Sequence, residues 1–272
     1  MQVLCSTGTF SRSSDPASYQ AILTYGPQLA VDGLEVIFYP QWYPDQERIV
    51  GMLRTCGLKF PVLHLDKRIG GAFGNSNPAE QEQGVSWFEQ NCAFAQQIGA
   101  CIAVLHLWGM PHVDTHLEHN LRPLTRCLDI AEQYRLELAI ETIPCTSSDP
   151  LSNVKRACEH DARSRIALDS EFLAIHNQLD DVFEATWLWQ AGLVGHVHLK
   201  DYDGNPFLEG GRRYLHLGEG QIDFGRFVRQ LRAGGFDGGL SLESRAIDNE
   251  GRVDVARIQA SLQLVRHLAG ES

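Results

Sequence analysis

The sequence predicts a single (β/α)8 barrel domain over residues 1–272, and three observations lead to this fold class. Short apolar runs recur along the chain, the segments between them have helical spacing, and no linker rich in Pro, Ser or Gly divides it. Such alternation favours a parallel sheet with right-handed crossovers, and eight repeats in about 250 residues are typical of a closed barrel. The predicted strands are Val3–Cys5, Leu34–Phe38, Pro61–Leu65, Ile102–Leu107, Leu136–Ile140, Arg165–Leu168, Leu193–Leu199 and Gly239–Leu242.

The helical segments are recognised by apolar residues three or four positions apart. The spacing is clearest in Val85, Phe88, Cys92 and Ala95, in Leu117, Leu121, Leu124, Leu128 and Ala131, and in Val255, Ile258, Leu262 and Val265. The alternative fold is an open doubly wound sheet. That fold usually carries a glycine-rich phosphate loop after its first strand, where this chain offers Gly8 alone.

The composition limits the classes of partner and the compartment. The chain has 23 Lys and Arg against 34 Asp and Glu, a formal net charge of −11. This balance argues against binding to nucleic acid or to an anionic membrane, since both require clustered positive charge. The seven cysteines are scattered and never spaced C-x-x-C, so we expect reduced thiols in a cytoplasmic protein. We expect neither a signal peptide nor a membrane span.

Six successive predicted strands, from the third to the eighth, each end in a histidine or a carboxylate. In a barrel these ends meet at one mouth, where catalytic residues lie. Residues two apart share a face of a strand, so Ala139 and Ala167 lie one level below two of the carboxylates and leave space beside them. The six residues are His64, His106, Glu141, Asp169, His198 and Glu243. His196 lies one level below His198, as expected for a supporting residue.

A divalent cation would resolve the repulsion between carboxylates gathered at this mouth. The last four of these strands supply three oxygen ligands and one nitrogen, a set suited to Mn²⁺, Mg²⁺, Co²⁺ or Zn²⁺. These four ligands are Glu141, Asp169, His198 and Glu243. His64 and His106 would complete a second metal site that shares Glu141.

Each of these residues also has an ordinary structural interpretation. A single histidine on a strand is more often a core or surface residue than a ligand, and Asp169 fits the N-cap of a helix. Trp108 is either a wall for a sugar ring or a packing residue, and Lys200 is either a substrate contact or a rim lysine. One metal centre explains at least four of the six strand-end residues together, so we favour it.

These motifs resemble those of the xylose isomerase-like TIM barrels, the sugar isomerase and epimerase superfamily that also contains the abasic-site endonucleases. The resemblance covers essentially the whole chain. Its motifs are Ala-Ile-Glu141-Thr, Ala-Leu-Asp169-Ser, His196-Val-His198-Leu-Lys200-Asp201, Leu217-Gly-Glu219-Gly220-Gln-Ile-Asp223-Phe and Leu-Ser-Leu-Glu243-Ser. The resemblance implies that the four ligands hold a catalytic divalent ion, and that Glu141 and Glu243 also serve as acid and base.

Two positions depart from the family pattern. Ketose 3-epimerases and the endonucleases usually carry a histidine three residues after the aspartate ligand, where this chain has Phe172. The epimerases carry an arginine six residues after the histidine ligand, where it has Gly204. Of the third endonuclease zinc site, only His216 is matched. A standard ketose 3-epimerase and a DNA endonuclease are therefore both disfavoured.

The expected function is isomerisation or epimerisation of a sugar or related hydroxycarbonyl compound through an enediolate, with Glu141 and Glu243 as acid and base in either order. The alternatives are dehydration of a keto-polyol, metal-dependent hydrolysis of a phosphoester, and a catalytically silent barrel that binds a sugar. The expected partner is a small sugar or polyol-derived molecule. Aromatic residues such as Trp42, Tyr43 and Trp187, interpreted as exposed, suggest a homo-oligomer.

Two long connections, Asp66–Pro78 and Asp201–Gln221, are expected to shape the substrate site. The predicted substrate contacts are Trp108, Lys200, His216 and Glu219. The candidates for binding a phosphate are Lys67, Arg68, Arg212, Arg213 and Arg245.

Overall fold

The computed structural model describes residues 1–15, 17–109, 114–205 and 213–270. Its eight strands are parallel and form a closed barrel in chain order, with β8 pairing back onto β1. The predicted fold class, a (β/α)8 barrel, is therefore confirmed. The strands are β1 Gln2–Ser6, β2 Gly33–Ile37, β3 Val62–His64, β4 Ile102–Leu105, β5 Glu137–Glu141, β6 Arg165–Asp169, β7 Val194–Leu199 and β8 Gly239–Leu242.

Helices connect the strands. They are α1 Ser18–Tyr25, α2 Gln46–Thr55, α3 Arg68–Phe73, α4 Pro78–Ile98, α5 Leu117–Leu121, α6 Leu124–Gln133, α7 Pro150–His160, α8 Ser170–Ile175, α9 Asp181–Glu184, α10 Thr186–Gln190, α11 Phe224–Ala233 and α12 Val255–Leu268. Short 3-10 helices span Thr7–Thr9, Gly26–Gln28, Pro40–Asp45 and Asp114–His116. The apolar spacing from Leu117 to Ala131 is divided between α5 and α6 because Pro123 stands between them and lacks an N–H to continue the first helix.

The barrel interior holds a small apolar cluster of its own, distinct from the large core between strands and helices. Its buried members are Leu4, Val62, Val104, Ala139 and Ala167. The last four each stand two residues before one of the polar strand-end residues, so the two sets share the inward face of their strands. The polar side chains are thus supported from one side by a packed apolar layer.

The expectation that Trp42 is exposed is wrong. Its side chain is buried, its Nε1 donates to Ser18 Oγ at 3.0 Å, and its ring packs edge-on against Phe38. The physical reason is the 3-10 helix Pro40–Asp45, which turns this aromatic residue onto the core. Tyr43 and Trp187 are partly buried against the same core, and of the large apolar residues that the structure describes only Tyr214 is exposed.

The seven cysteines all carry free thiols. Burial raises the pKa of several of them, including Cys5 to about 12 and Cys158 to about 11, so these thiols are protonated at neutral pH. Across the described ranges, no helix has both the length and the apolar character needed to cross a bilayer.

Candidate metal centre and active site

Three groups of buried histidines and carboxylates lie around the C-terminal ends of the strands, and within each group the potential ligand atoms are within 4.8 Å of one another. The first group is His64, His106 and Glu141; the second is Glu141, Asp169, His198 and Glu243; the third is Glu35, His196 and His198. The structure therefore brings together all six strand-end residues singled out in the sequence. Glu141 belongs to both predicted metal sites.

The two histidines of the first group direct their Nε2 atoms at one oxygen of Glu141. His64 Nε2 lies 3.2 Å from Glu141 Oε2, and His106 Nε2 lies 2.5 Å from the same oxygen. His64 Nδ1 is 3.0 Å from the carbonyl oxygen of Leu65, which can only accept, so in the neutral ring Nε2 carries the lone pair. Burial lowers the pKa of His106 to about 3, which keeps that ring in the neutral form that binds metals.

In the second group, four strands direct one ligand atom each towards a common point. Glu141 turns its other oxygen, Oε1, towards His198 Nδ1 at 2.8 Å. The same nitrogen lies 3.4 Å from Glu243 Oε2 and 3.8 Å from Asp169 Oδ2. Convergence of three oxygens and one nitrogen is the arrangement that a divalent ion such as Mn²⁺ or Zn²⁺ accepts.

Glu35, in the middle of β2, is a candidate site residue that the sequence analysis missed. It is fully buried and accepts from His198 Nε2 at 2.9 Å and from His196 Nε2 at 3.1 Å. Burial opposes its ionisation, but the charge of His198 and the hydrogen bonds from both rings hold the pKa of Glu35 well below its usual value. Glu35 thus fixes the ring of His198 from the side opposite the ligand atom, a common arrangement behind metal-binding histidines. His196 is a supporting residue, as its position suggested.

The Lys200 ammonium contacts two carboxylates of the second group. Its Nζ is 2.7 Å from Glu243 Oε2 and forms an ion pair with Asp169 Oδ2. Burial raises the pKa of Asp169 to about 7, and repulsion from Glu141 adds to the rise although Lys200 opposes it. Burial acts likewise on Glu243, but there Lys200 and His198 prevail and lower its pKa to about 2. Without further positive charge these carboxylates cannot all be fully ionised at neutral pH, which is the conflict expected from the sequence.

The chemistry of the donor set tests whether an ion fits these residues. In the first group, two imidazole nitrogens face one oxygen of Glu141. In the second group, three carboxylate oxygens lie around His198 Nδ1. Buried carboxylates gathered in this way call for additional positive charge, and all of these atoms are donor types that divalent transition metals accept. The residues present therefore fit the implied ions.

The helix-cap interpretation of Asp169 is correct, and the same side chain also faces the second group. Its Oδ1 accepts from the backbone N–H of Phe172 at 3.0 Å and so caps the start of α8, while its Oδ2 faces the second group. Phe172, at the position of the family histidine, lies with its ring centroid 4.3 Å from Lys200 Nζ. The chain thus places a lysine beside an aromatic ring at the position where the resemblance led us to look for a histidine.

A cavity of about 490 Å³ borders the second ligand group, since Glu243 and its partner Lys200 line it. This volume is within the range that accommodates small organic ligands. The remaining wall comes mostly from residues that follow β1, β2, β3 and β8, with Tyr214 from the connection after β7. It includes Ser11, Arg12, Tyr39, Lys67, Arg68 and Arg245.

Of the four predicted substrate contacts, the structure brings only Lys200 to this cavity. Trp108 is fully buried and its Nε1 donates to the Pro144 carbonyl oxygen at 3.1 Å, which is the packing alternative. The remaining two lie on the loop before α11: His216 Nδ1 is 2.7 Å from the hydroxyl of Ser261 on α12, and Glu219 pairs with Arg257. Neither lines the cavity or belongs to a ligand group, so their contacts are those of a loop held against α12.

The phosphate candidates are also separated by the structure. Lys67, Arg68 and Arg245 line the cavity. Arg213 instead forms an ion pair with Asp203 at 2.6 Å and is not part of the lining. Arg212 lies outside the described residues.

Known proteins with the same fold include several epimerases. The structure of 3-keto-D-glucoside 4-epimerase from E. coli is 19% identical, superimposes with a TM-score of 0.72, and covers 98% of this chain and 99% of its own. That of D-psicose 3-epimerase with D-tagatose, from Clostridium cellulolyticum H10, is 12% identical with a TM-score of 0.74, and 99% of each chain is covered. At these identities the likeness shows the fold alone.

A sequence relative is the uncharacterized protein MJ1311 of Methanocaldococcus jannaschii, which is 25% identical over 191 residues. The match covers 64% of this chain and 63% of that protein, so less than two thirds of the relative's length is spanned. The family model described as xylose isomerase-like TIM barrel matches residues 23–267. The chain therefore belongs to the xylose isomerase-like TIM barrel family.

Proposed function

We propose that the protein is a divalent-metal-dependent isomerase or epimerase that acts on a sugar or a related hydroxycarbonyl compound. The observation that carries this proposal is the position of Glu243, which belongs to the second ligand group and also lines the cavity. A molecule in the cavity therefore meets a carboxylate whose pKa of about 2 keeps it ionised at neutral pH. The epimerases that share the fold support the same reaction class.

The ion would be held by the second ligand group, and a second ion by the first group. Mn²⁺, Co²⁺, Mg²⁺ and Zn²⁺ all accept mixed oxygen and nitrogen donors. When bound, such an ion acts as a Lewis acid that polarises a substrate carbonyl and acidifies the neighbouring C–H.

The chain's own residues carry the proton. We assign Glu243 as the base that removes it from the carbon next to the carbonyl, because this carboxylate reaches the cavity whereas Glu141 does not line it. The substrate becomes an enediolate, and the Lys200 ammonium beside Glu243 favours the negative charge that develops. Glu141 is the second acid/base residue. Return of the proton to the opposite face gives an epimer, and return to the adjacent carbon gives an isomer.

The test is proton exchange in D₂O. The purified protein is incubated with Mn²⁺ or Co²⁺ and a panel of ketoses, inososes and phosphorylated sugars, and products are followed by NMR and mass spectrometry. Deuterium at a carbon next to a carbonyl is the expected result. Loss of water from the substrate would favour a dehydratase acting at the same site. Absence of exchange across the panel would contradict the proposal and favour a silent sugar-binding barrel.

A second candidate, a metal-dependent phosphoesterase, is favoured by one feature of the site. Glu141 presents one oxygen to each ligand group, which is how a carboxylate bridges a pair of ions that together activate water. Release of inorganic phosphate from the phosphorylated sugars of the same panel, without deuterium incorporation, would support this activity over isomerisation.

A further inference from the structure

The cavity is basic although the protein is acidic. Five cationic side chains line it, against two carboxylates, in a chain whose formal net charge is −11. The cationic residues are Arg12, Lys67, Arg68, Lys200 and Arg245, and the carboxylates are Asp66 and Glu243. This local reversal of charge is the first sign that the cavity serves a ligand of a particular charge.

Both carboxylates of the lining are already engaged with a cation. Asp66 accepts from Arg68 Nε at 3.0 Å and Nη2 at 2.6 Å, and also from the Tyr43 hydroxyl at 3.1 Å. Glu243 accepts from Lys200 at 2.7 Å. The charges of Arg68 and Lys200 are therefore compensated within the protein, and the excess positive charge belongs to the other three cations.

Those three cations are at most weakly paired with the residues that the structure describes. Lys67 Nζ, half exposed, forms only a long ion pair with Glu243, at 4.0 Å. Arg245 lies with its guanidinium 5.4 Å from the ring centroid of Tyr214 and forms no ion pair with a described residue. Arg12 donates only weakly, to backbone carbonyls at 3.3 and 3.4 Å. Each retains donors for a ligand, and none of these side chains can accept a hydrogen bond.

The turn that carries Lys67 is built rigidly. The backbone N–H of Asp66 donates to Asn91 Oδ1 at 2.8 Å, and the N–H of Arg68 donates back to Asp66 Oδ1 at 3.0 Å. Gly70 in the following helix is held by Asn120, whose Nδ2 donates to the Gly70 carbonyl at 2.8 Å. A lysine on a fixed turn loses less conformational freedom on binding than one on a mobile loop.

We infer that the cavity recognises an anionic substrate, one that carries a phosphate or a carboxylate group in addition to its reacting hydroxycarbonyl end. The inference rests on the proposed function, since it places the charged end beside Lys67 and Arg245 and the reacting end beside Glu243 in one cavity. A neutral sugar could accept hydrogen bonds from these side chains through its hydroxyl oxygens, but it would add no negative charge to balance them. An anion satisfies the charge and the donors together, with charge-assisted hydrogen bonds.

The test compares matched pairs of neutral and charged ligands by isothermal titration calorimetry. D-ribulose is compared with D-ribulose 5-phosphate, and D-fructose with D-fructuronate, each with the Mn²⁺-loaded protein in a buffer free of phosphate. We expect at least one charged member to bind about tenfold or more tighter than its neutral partner, an advantage that shrinks as salt is raised. The pair that shows the advantage identifies phosphate or carboxylate as the recognised group.

Variants locate the effect. Lys67→Gln and Arg245→Gln should each remove most of the preference for the charged ligand, because each variant loses one positive charge at the cavity. The control is Arg54→Gln, which removes an exposed cation from the last turn of α2. Thermal melting of each variant verifies that it is folded.

The outcomes separate this inference from the function on which it rests. Equal affinity for both members of each pair, or an equal effect of Arg54→Gln and Lys67→Gln, overturns the anionic subsite. If neutral ketoses still exchange deuterium in that case, the proposed function stands alone. A preference for the anion that depends on Lys67 supports the subsite even if no ligand incorporates deuterium. In that case the isomerase proposal fails and the subsite stands.

Discussion

The ligand groups next to the cavity, which we call the floor, differ in charge arrangement from the cationic residues that line the cavity, which we call the rim. At the floor, buried carboxylates and histidines contact one another directly, and Glu141 alone faces His64, His106 and His198. At the rim, Lys67 and Arg245 are partly exposed. Lys67 reaches Glu243 only at 4.0 Å, and Arg245 forms no ion pair with a described residue. On our proposals, the floor holds the ion and transfers the proton, whereas the rim selects the ligand. Changes at the floor should therefore affect turnover, and changes at the rim should affect affinity.

Metal removal should have the largest effect on deuterium exchange, because it acts directly on the ligand groups of the floor. Dialysis against EDTA is expected to reduce deuterium exchange to background and to lower the melting temperature, because an ion that binds only the folded state stabilises it. Adding back Mn²⁺ or Co²⁺ should restore both. Full exchange in a sample shown by elemental analysis to be metal-free would contradict the role of the ligand groups.

The second largest loss of activity is expected from Glu243→Gln. The amide keeps the shape of the side chain but can neither accept a proton nor supply a charged ligand, so we expect a loss of about 10²- to 10⁴-fold in kcat. The far-ultraviolet circular dichroism should be unchanged, since the substitution is nearly isosteric. A variant that kept wild-type turnover would show that the base has been assigned wrongly.

Glu35→Gln tests the support beneath the floor. Loss of the charge behind His198 is expected to weaken metal binding by about 10- to 100-fold, measured by competition with a chelator of known affinity. Saturating metal should recover most of the turnover, which a general folding defect would not permit. Glu137→Gln, at the first and exposed position of β5, is the matched carboxylate control and should leave metal affinity unchanged.

The smallest effect is expected from Glu219→Gln. This carboxylate pairs with Arg257 and accepts from the His216 N–H rather than lining the cavity, so KM should change by less than about twofold. The exposed ion pair contributes at most about 1 kcal/mol to stability, so melting should shift only slightly. A large rise in KM would show that the loop before α11 contacts the substrate after all.

The residues at the strand ends were predictable from the sequence, because the C-terminal ends of all strands in a parallel barrel lie at the same mouth. Knowing that Glu141 and Asp169 each end an apolar run was sufficient to expect them side by side. Glu35 was missed because it lies inside an apolar run rather than at its end. A carboxylate within such a run is itself a signal, since burial there requires a partner.

The rim and the loops could not be predicted in the same way. Lys67 and Arg245 are distant in the chain, and nothing in their spacing relates either to the cavity until the turn after β3 and the segment after β8 are placed. Trp108 and His216 carry side chains common in binding sites, yet their hydrogen bonds to Pro144 and Ser261 depend on packing between distant segments. Side chains on strands inherit their direction from the pleat, whereas loop side chains have no such rule.

The two oxygens of Asp169 make different contacts. Oδ1 caps the start of α8, and Oδ2 faces the second ligand group. A homologue without catalytic activity would still be under selection to keep a hydrogen-bond acceptor at this position, because a helix without its cap is less stable by about 1 kcal/mol. Asparagine would satisfy that requirement while abolishing the charge. Among homologues, Asn in place of Asp at this site would therefore mark a barrel that is catalytically inactive but keeps the same fold.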